Sequence, residues 1–312
     1  MVAHLLSLAD AALQNAWLTI GTFDGVHIGH QEIVRGLVAG AHAEGAPAVV
    51  LTFHPHPAVV VRGRKGAFYL TLPDERAALL GELGVDVVIT QEFDPQMAAT
   101  SAPDFIRVLK ERLGLRQLWI GHDFALGRAR SGNTDVLRQL GDQLGYQLHV
   151  VSPVQAVGQV VSSSQVRALL DAGQVRQANQ LLGRPYCLSG QVIHGDGRGR
   201  TINIPTANLD PGSEKLVPGK GVYVCLAEVD GCQWPAATNI GVRPTFDGKN
   251  NQAHIEAHLL DFSGDLYGKT VQLSFLEYLR GEQRFSDKEA LVAQICQDIQ
   301  QTRLVVAASV GV

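Results

Sequence analysis

The sequence predicts an α/β domain built on a doubly wound parallel sheet, followed by an antiparallel β-barrel that a C-terminal helix closes. Three observations predict it. The chain has 312 residues, more than one hydrophobic core usually serves, so two domains are expected. Residues 1 to about 150 alternate short β-rich runs with amphipathic helical patterns, the texture of right-handed βαβ units in a Rossmann-like sheet. From Leu188 onward the helical period disappears and short runs with turn signals replace it, as in a small antiparallel barrel.

Taken in order, "AWLTIGTF" (16–23) predicts the first strand and "HQEIVRGLVAGAHAEG" (30–45) the helix after it. "APAVVLTFHP" (46–55) and "LPDERAALLGELG" (72–84) form the next pair, then "VDVVITQEF" (85–93) and "SAPDFIRVLKERLG" (101–114). Two more strands, "LRQLWIGHDF" (115–124) and "YQLHVVSP" (146–153), flank the helical "NTDVLRQLGDQLG" (133–145). Buried parallel strands read as continuous apolar runs because both faces are covered. The helical "SSSQVRALLDAGQVRQANQLLGRPY" (162–186) then leads to a boundary near Gly183 to Pro185, giving domains 1–183 and 184–312. Beyond it "LSGQVIHG", "GVYVCLAEVDGCQWPAATNIG", "AHIEAHLLDF" and "KTVQLSFLEYLR" predict strands, and Asp230-Gly231 is a hairpin signal. "SDKEALVAQICQDIQQTRLVVA" predicts the final helix, and the closing "AASVGV" a frayed tail. There is no internal repeat and no low-complexity segment.

Composition narrows the function classes. Apolar residues make up 46% and charged residues 18% of the chain, the balance of an ordinary globular protein. A net charge of −4 is shared evenly by the two halves, without a basic stripe or like-charge block. That leaves no electrostatic footprint for nucleic acid or an anionic membrane and favours a small-molecule substrate. Cys187, Cys225, Cys232 and Cys296 form no C-x-x-C pair and read as reduced thiols of a cytoplasmic protein. "MVAHLLSLADAALQ" carries no basic n-region for a signal peptide, and no apolar run approaches the roughly 20 residues that span a membrane.

The stretch "TIGTFDGVHIGH" (19–30) concentrates the chemistry. It spans the first strand and the turn into the first helix, a ligand-binding edge in open α/β sheets, where helix N-termini present N–H groups and positive dipole to phosphates. His27 and His30 are three apart and share one face if the turn is already helical. Residue types alone leave three readings. His27, His30, His54 and His56 suit a zinc site in number, although no Cys joins them. The same histidines suit a polyphosphate cradle, and either suits a structural role. A P-loop is absent, since "GDLYGKT" (264–270) has three residues between its glycines and leads into a strand. The first turn also has no GxGxxG loop.

Literal "HIGH" (27–30) resembles the signature of the class I aminoacyl-tRNA synthetase and nucleotidyltransferase superfamily, and "GTFDGVHIGHQ" (21–31) resembles its FMN adenylyltransferase branch. A synthetase would add a Lys-Met-Ser-Lys loop, whereas the only methionines are Met1 and Met97. "VSSSQVR" (161–167) is instead similar to the Ser-Ser-Thr-x-x-Arg loop of the flavin enzymes. "GHDFALGRARSGN" (121–133) is similar to their Gly-x-Asp-Phe-x-Phe-Gly-x-x-Arg-x-Gly segment, with Leu126 in place of Phe and Ala125 where a basic residue is common. "LTFHPHP" and "LTLPDERAALL" also fit. The resemblance implies that a phosphate oxygen of FMN attacks the α-phosphorus of ATP while pyrophosphate leaves. It implies that His27 and His30 are catalytic and contact the triphosphate, with Gly21, Phe23, Asp24 and Gly29 in the nucleotide turn. Ser163, Ser164 and Arg167 would hold pyrophosphate, and His56, Asp123, Phe124 and Arg130 the flavin. Asp24 has two roles open, orienting the turn or binding nucleotide or metal, and the second is favoured because it sits at the ligand edge.

In the second half, the glycines and charges of "GQVIHGDGRGRTINIPTANL" (190–209) would alone mean a solvated loop. The segment resembles the flavokinase signature Gly-Arg-x-Leu-Gly-Phe-Pro-Thr-Ala-Asn, and "GVYVC", "ATNIGVRPTF", "IEAHLLDFSGDLYGK" and "LRGEQRF" follow in the same family's order. By that resemblance Glu256 is the catalytic base that activates a ribityl alcohol of riboflavin, and Thr206 and Asn208 hold Mg²⁺ and ATP phosphates. As a strand, "HIEAHLLD" puts Glu256, His258 and Leu260 on one face and Ile255, Ala257 and Leu259 on the other. Asn203 replaces the usual glycine, a substitution that a left-handed turn tolerates.

Both halves together resemble the prokaryotic bifunctional riboflavin kinase/FMN adenylyltransferase (FAD synthetase) family. The expected substrates are riboflavin, FMN and ATP, with Mg²⁺ as cofactor and no nucleic acid or membrane partner. Two alternatives stand beside it. Another small-molecule nucleotidyltransferase, acting for example on a phosphopantetheine or phosphocholine, would have no use for the "PTAN" barrel. A flavin-binding regulator without catalysis would have no use for His27, His30, Arg167, Thr206, Asn208 and Glu256.

Overall fold

A computed structural model describes residues 2–156, 158–195, 204–243 and 252–310. The chain forms two compact units, Met1–Ser163 and Ser164–Val312.

The first unit contains six parallel strands: β1 (Ala3–Leu5), β2 (Trp17–Ile20), β3 (Ala48–His54), β4 (Val87–Glu92), β5 (Gln117–Gly121) and β6 (Gln147–Val151), in the spatial order β1-β4-β3-β2-β5-β6. The predicted strands are all present, and β1 adds an edge. Helices α1 (Ile28–Ala43), α2 (Pro57–Arg62), α3 (Pro73–Glu82), α4 (Pro95–Ala99), α5 (Ala102–Leu113) and α6 (Thr134–Leu144) connect them. A short antiparallel pair, β7 (Gln155–Ala156) and β8 (Gln159–Val160), follows.

Strand alternation explains how one sheet fills two cores. Val49 and Leu51 of β3 and Ile89 of β4 join Leu18, Leu118 and the α5 residues Phe105, Ile106 and Leu109 on one side. Val50 and Val88 point to the other side, with Val34 of α1 and Ala77 and Leu80 of α3. Successive strands run outward from β2 in one direction through β3 and in the other through β5, so the turn after β2 lies at the switch in strand order, where such sheets open a crevice. Helix α1 lies close against the sheet there. A Cβ on Gly36 would stand 2.7 Å from the Trp119 ring and one on Gly40 only 2.3 Å from the Trp17 ring.

Helix α7 (Ser163–Asp171) starts at the division between the units, and α8 (Val175–Leu182) follows in the second. Asn179 docks α8 on the barrel: its Nδ2 donates to Phe275 O at 2.8 Å, and its Oδ1 accepts from Tyr186 N at 2.8 Å. Strands β9 (Tyr186–Ile193), β10 (Ala207–Asp210), β11 (Gly221–Val229), β12 (Cys232–Arg243), β13 (Gln252–Leu259) and β14 (Thr270–Arg280) close a barrel in the order β10-β13-β12-β11-β14-β9, all antiparallel. The Asp230-Gly231 hairpin joins β11 to β12, with φ of 52° and 76°, the double left-handed turn that suits strand twist. Helix α9 (Lys288–Val310) is tied to β14 by the Arg280–Asp298 ion pair, 2.7 Å long and largely buried. It extends to Val310, so the first four residues of "AASVGV" are helical where a frayed tail is expected. Asn203 lies outside the described residues.

Candidate active sites

The first site is the turn between β2 and α1. Phe23, Gly25 and Val26 have φ of 45°, 81° and 41°. For a β-branched residue such as Val26 that conformation is costly, about 1–3 kcal/mol, and survives only where surrounding contacts fix it. Asp24 supplies many of them. Its carboxylate is fully buried and accepts from Leu70 N (3.2 Å), Thr71 N (2.9 Å) and Thr71 Oγ1 (3.3 Å), and it lies 3.8 Å from the buried Arg76 guanidinium. Arg76 in turn donates to Thr52 Oγ1 (2.9 Å) and Thr71 O (2.9 Å), binding the ends of β3 and α3 to the turn. Asp24 is expected above as a nucleotide or metal ligand; its carboxylate is enclosed by these protein donors, an arrangement that orients the turn.

His27 is the N-cap of α1, and its Nδ1 accepts from His30 N at 3.3 Å. The two imidazoles stack with centroids 3.6 Å apart and planes 16° from parallel, and Phe23 meets His30 edge-on at 5.1 Å. Gly29 makes the stack possible, since a Cβ there would come within 3.2 Å of the His27 ring. Gly21 likewise leaves room for Phe23, whose ring would be 3.0 Å from a Cβ. Burial, then the His27 ring, then the Arg76 cation hold the pKa of His30 well below the usual imidazole range. Its Nδ1 is buried without a hydrogen-bond partner among the described residues. A neutral donor at a helix N-terminus is suited to phosphate oxygens.

The loops after β3 and β5 share the carboxyl edge of the sheet with this turn. His56 caps α2 through its Nδ1, accepting from Ala58 N at 3.0 Å, and its ring lies edge-on to Phe68 at 5.0 Å. Among the described residues no group of three or more His, Cys, Asp or Glu side chains is arranged to hold a metal ion. After β5, Arg130 folds back to donate to Asp123 O at 2.7 Å, and half-buried Phe124 packs on the main core of the unit. Ser163 Oγ donates to Asp24 O at 2.9 Å, which joins the start of α7 to the turn. Ser164 is exposed and Arg167 buried, both on α7 in the second unit.

The second site lies on the outer face of the barrel. Ile255, Ala257 and Leu259 of β13 are buried in its core, so Glu256 faces outward with His254 and His258, as the strand period requires. Register places Asn208 of β10 directly opposite Glu256 on one side and Asn239 of β12 opposite it on the other. Asn208 is buried, its amide pressed on Gly195, where a Cβ would sit 2.2 Å from Nδ2. Asn208 Oδ1 has no hydrogen-bond partner among the described residues. An orphaned buried carbonyl oxygen, with the Thr206 hydroxyl two residues away, fits a hard cation such as Mg²⁺, which takes oxygen ligands. His254 Nε2 lies 2.9 Å from Glu256 Oε1, and His258 Nδ1 bonds Pro205 O at 2.7 Å, fixing the lead-in to Thr206. Glu282 approaches the same row at Gly241, where a Cβ would be 2.7 Å from its Oε1. Sequence reasoning missed His254, Asn239 and Arg76. Strand period alone marks His254, while Asn239 needs the register and Arg76 the tertiary fold.

Comparison with known proteins places both halves. Residues 9–165 match the FAD synthetase family model and residues 182–306 the riboflavin kinase model. The chain is 40% identical over 292 residues to the bifunctional riboflavin kinase/FMN adenylyltransferase of Pseudomonas fluorescens, covering 93% of each chain. It is 37% identical over 302 residues to the protein of the same name from Escherichia coli strain K12, covering 96% of this chain and 95% of that one. A crystal structure of a Streptococcus pneumoniae protein named as a macrolide-efflux protein superposes with a TM-score of 0.88 at 30% identity, covering 97% and 98% of the two chains. Among the described residues no helix is long and apolar enough to cross a membrane.

Proposed function

The chain belongs to the bifunctional riboflavin kinase/FMN adenylyltransferase family, and from that premise we propose how its own residues divide the two reactions. It phosphorylates riboflavin to FMN and adenylylates FMN to FAD, using ATP in both steps. For the division of labour we assign adenylylation to 1–183 and phosphorylation to 184–312. The family matches end at 165 and begin at 182, and Gly183 closes α8 in a left-handed conformation.

In the adenylylating half, a phosphate oxygen of FMN forms a bond to the α-phosphorus of ATP as the bond to pyrophosphate breaks. Such transfer needs positioning and charge stabilisation rather than a covalent enzyme intermediate. His27 and His30 donate to the triphosphate, with Gly21 and Phe23 shaping the turn and Gly29 leaving room for the imidazole stack. Asp24 holds that turn in place, and Ser163, Ser164 and Arg167 bind the departing pyrophosphate. His56, Asp123, Phe124 and Arg130 form the flavin side. The observation that carries this reading is the stacked pair at the head of α1, with its unpartnered His30 Nδ1.

In the barrel, Glu256 takes the proton of the ribityl alcohol as its oxygen bonds to the γ-phosphorus of ATP and ADP leaves. Thr206 and Asn208 hold Mg²⁺, which when bound offsets phosphate charge. The adjacency of Asn208 and Glu256 in register supports this pairing of base and phosphate ligand. The four cysteines are free thiols, which supports a cytoplasmic setting. Chromatography of flavins after incubation with Mg-ATP and either riboflavin or FMN tests the reading. FMN and then FAD are expected from riboflavin, and FAD from FMN; no FMN from riboflavin would overturn the kinase assignment.

A further inference from the structure

We infer that His254 is a positioning residue for the kinase step: its Nε2 holds one oxygen of the Glu256 carboxylate so that the other is left for the alcohol proton. The inference rests on the reading of Glu256 as general base. His254 and Glu256 are alternate residues of β13 on its outward face, joined Nε2 to Oε1 at 2.9 Å. Both side chains are partly exposed, 22% and 34%, so neither is held by burial alone. A glutamate on an open sheet face samples many rotamers, and ordering such a side chain costs about 1–2 kcal/mol. A hydrogen bond to one oxygen removes part of that cost before substrate arrives.

The surroundings leave His254 as the residue for this task. His258, the other histidine on the same face, is engaged with Pro205 O at 2.7 Å. Asn208 and Asn239 flank Glu256 in register, but among the described residues it is His254, not either asparagine, that hydrogen-bonds to its carboxylate. Opposite His254 stands Gly241, which leaves the space above it to the Glu282 carboxylate rather than to a side chain of its own. In the transfer itself the alcohol O–H bond breaks and its proton goes to the free oxygen of Glu256. The alcohol oxygen bonds to the γ-phosphorus, and the bond to the bridging oxygen breaks with its electron pair leaving on ADP. His254 neither gains nor loses a proton.

The test uses the full chain with His254→Phe, which keeps a ring without a donor, and His254→Gln, which restores one. Riboflavin phosphorylation is measured as kcat and KM, with thermal unfolding to check the barrel. His254→Phe is expected to lower kcat about 10-fold, part of what a positioned base supplies, with KM for riboflavin within about 2-fold, while His254→Gln recovers most of the loss. Unchanged kcat in His254→Phe, an effect confined to KM, or no recovery in His254→Gln overturns the inference. Glu256→Gln separates the two claims. If it keeps full kcat, the general-base reading fails; if it is slow while His254→Phe equals the parent, the positioning role alone fails.

Discussion

The imidazoles of His27 and His30 lie face to face, 3.6 Å apart at their centroids. One ring caps the helix and the other stacks on it, so His30 sits as a neutral imidazole where a helix dipole already favours negative charge. Stacking holds because His30 is kept unprotonated; two imidazolium rings at that separation would repel.

That state predicts a pH dependence. The folded pKa of His30 is lowered by burial, His27 and Arg76, whereas an unfolded histidine titrates near about 6.5. Below about pH 6.5 the unfolded chain therefore takes up a proton that the folded chain refuses, and stability falls as pH drops toward the lowered folded value. Urea unfolding at pH 7 and pH 5 should show a smaller loss in His30→Gln than in the parent. Equal losses would mean that His30 is not held neutral.

Asp24 is expected to behave as an anchor. Removing one member of a buried pair leaves the other charge uncompensated, at about 3–5 kcal/mol. Asp24→Ala should lower the unfolding midpoint and the rate of FAD formation together. Loss of FAD formation with unchanged stability would return Asp24 to the nucleotide.

Gly40 sets the height of α1 over the sheet. Gly40→Ala pushes a methyl to within 2.3 Å of the Trp17 ring, and overpacking of this kind costs about 1–3 kcal/mol. FAD formation should weaken through displacement of the α1 N-terminus, with riboflavin phosphorylation unchanged. An undisturbed stability and FAD rate would show that the helix has room.

How much of this was legible before the fold follows from where the information is written. Strand β3 is enclosed on both faces and carries it locally as an unbroken apolar run, and Asp230-Gly231 announces its own hairpin. Strand β1 is three residues long and lies at an edge, so it needs no such run and passes unread. Short helices α2 and α4 lack the length for a period to show. The "HIGH" turn and the "PTAN" segment are contiguous, so both can be read directly from the sequence. The anchoring contacts of Asp24 cannot be read locally, because Leu70 and Thr71 are more than forty residues away. Asn239 meets Glu256 only once β12 and β13 are in register.

The most direct test of the account is a pair of single variants assayed separately for both reactions. His27→Ala should lower FAD formation from FMN by about 100-fold while FMN still forms from riboflavin, and Glu256→Ala should do the reverse. Flavin chromatography reads both products in one run. Equal loss of both steps in either variant would contradict the division of the two reactions between the α/β unit and the barrel.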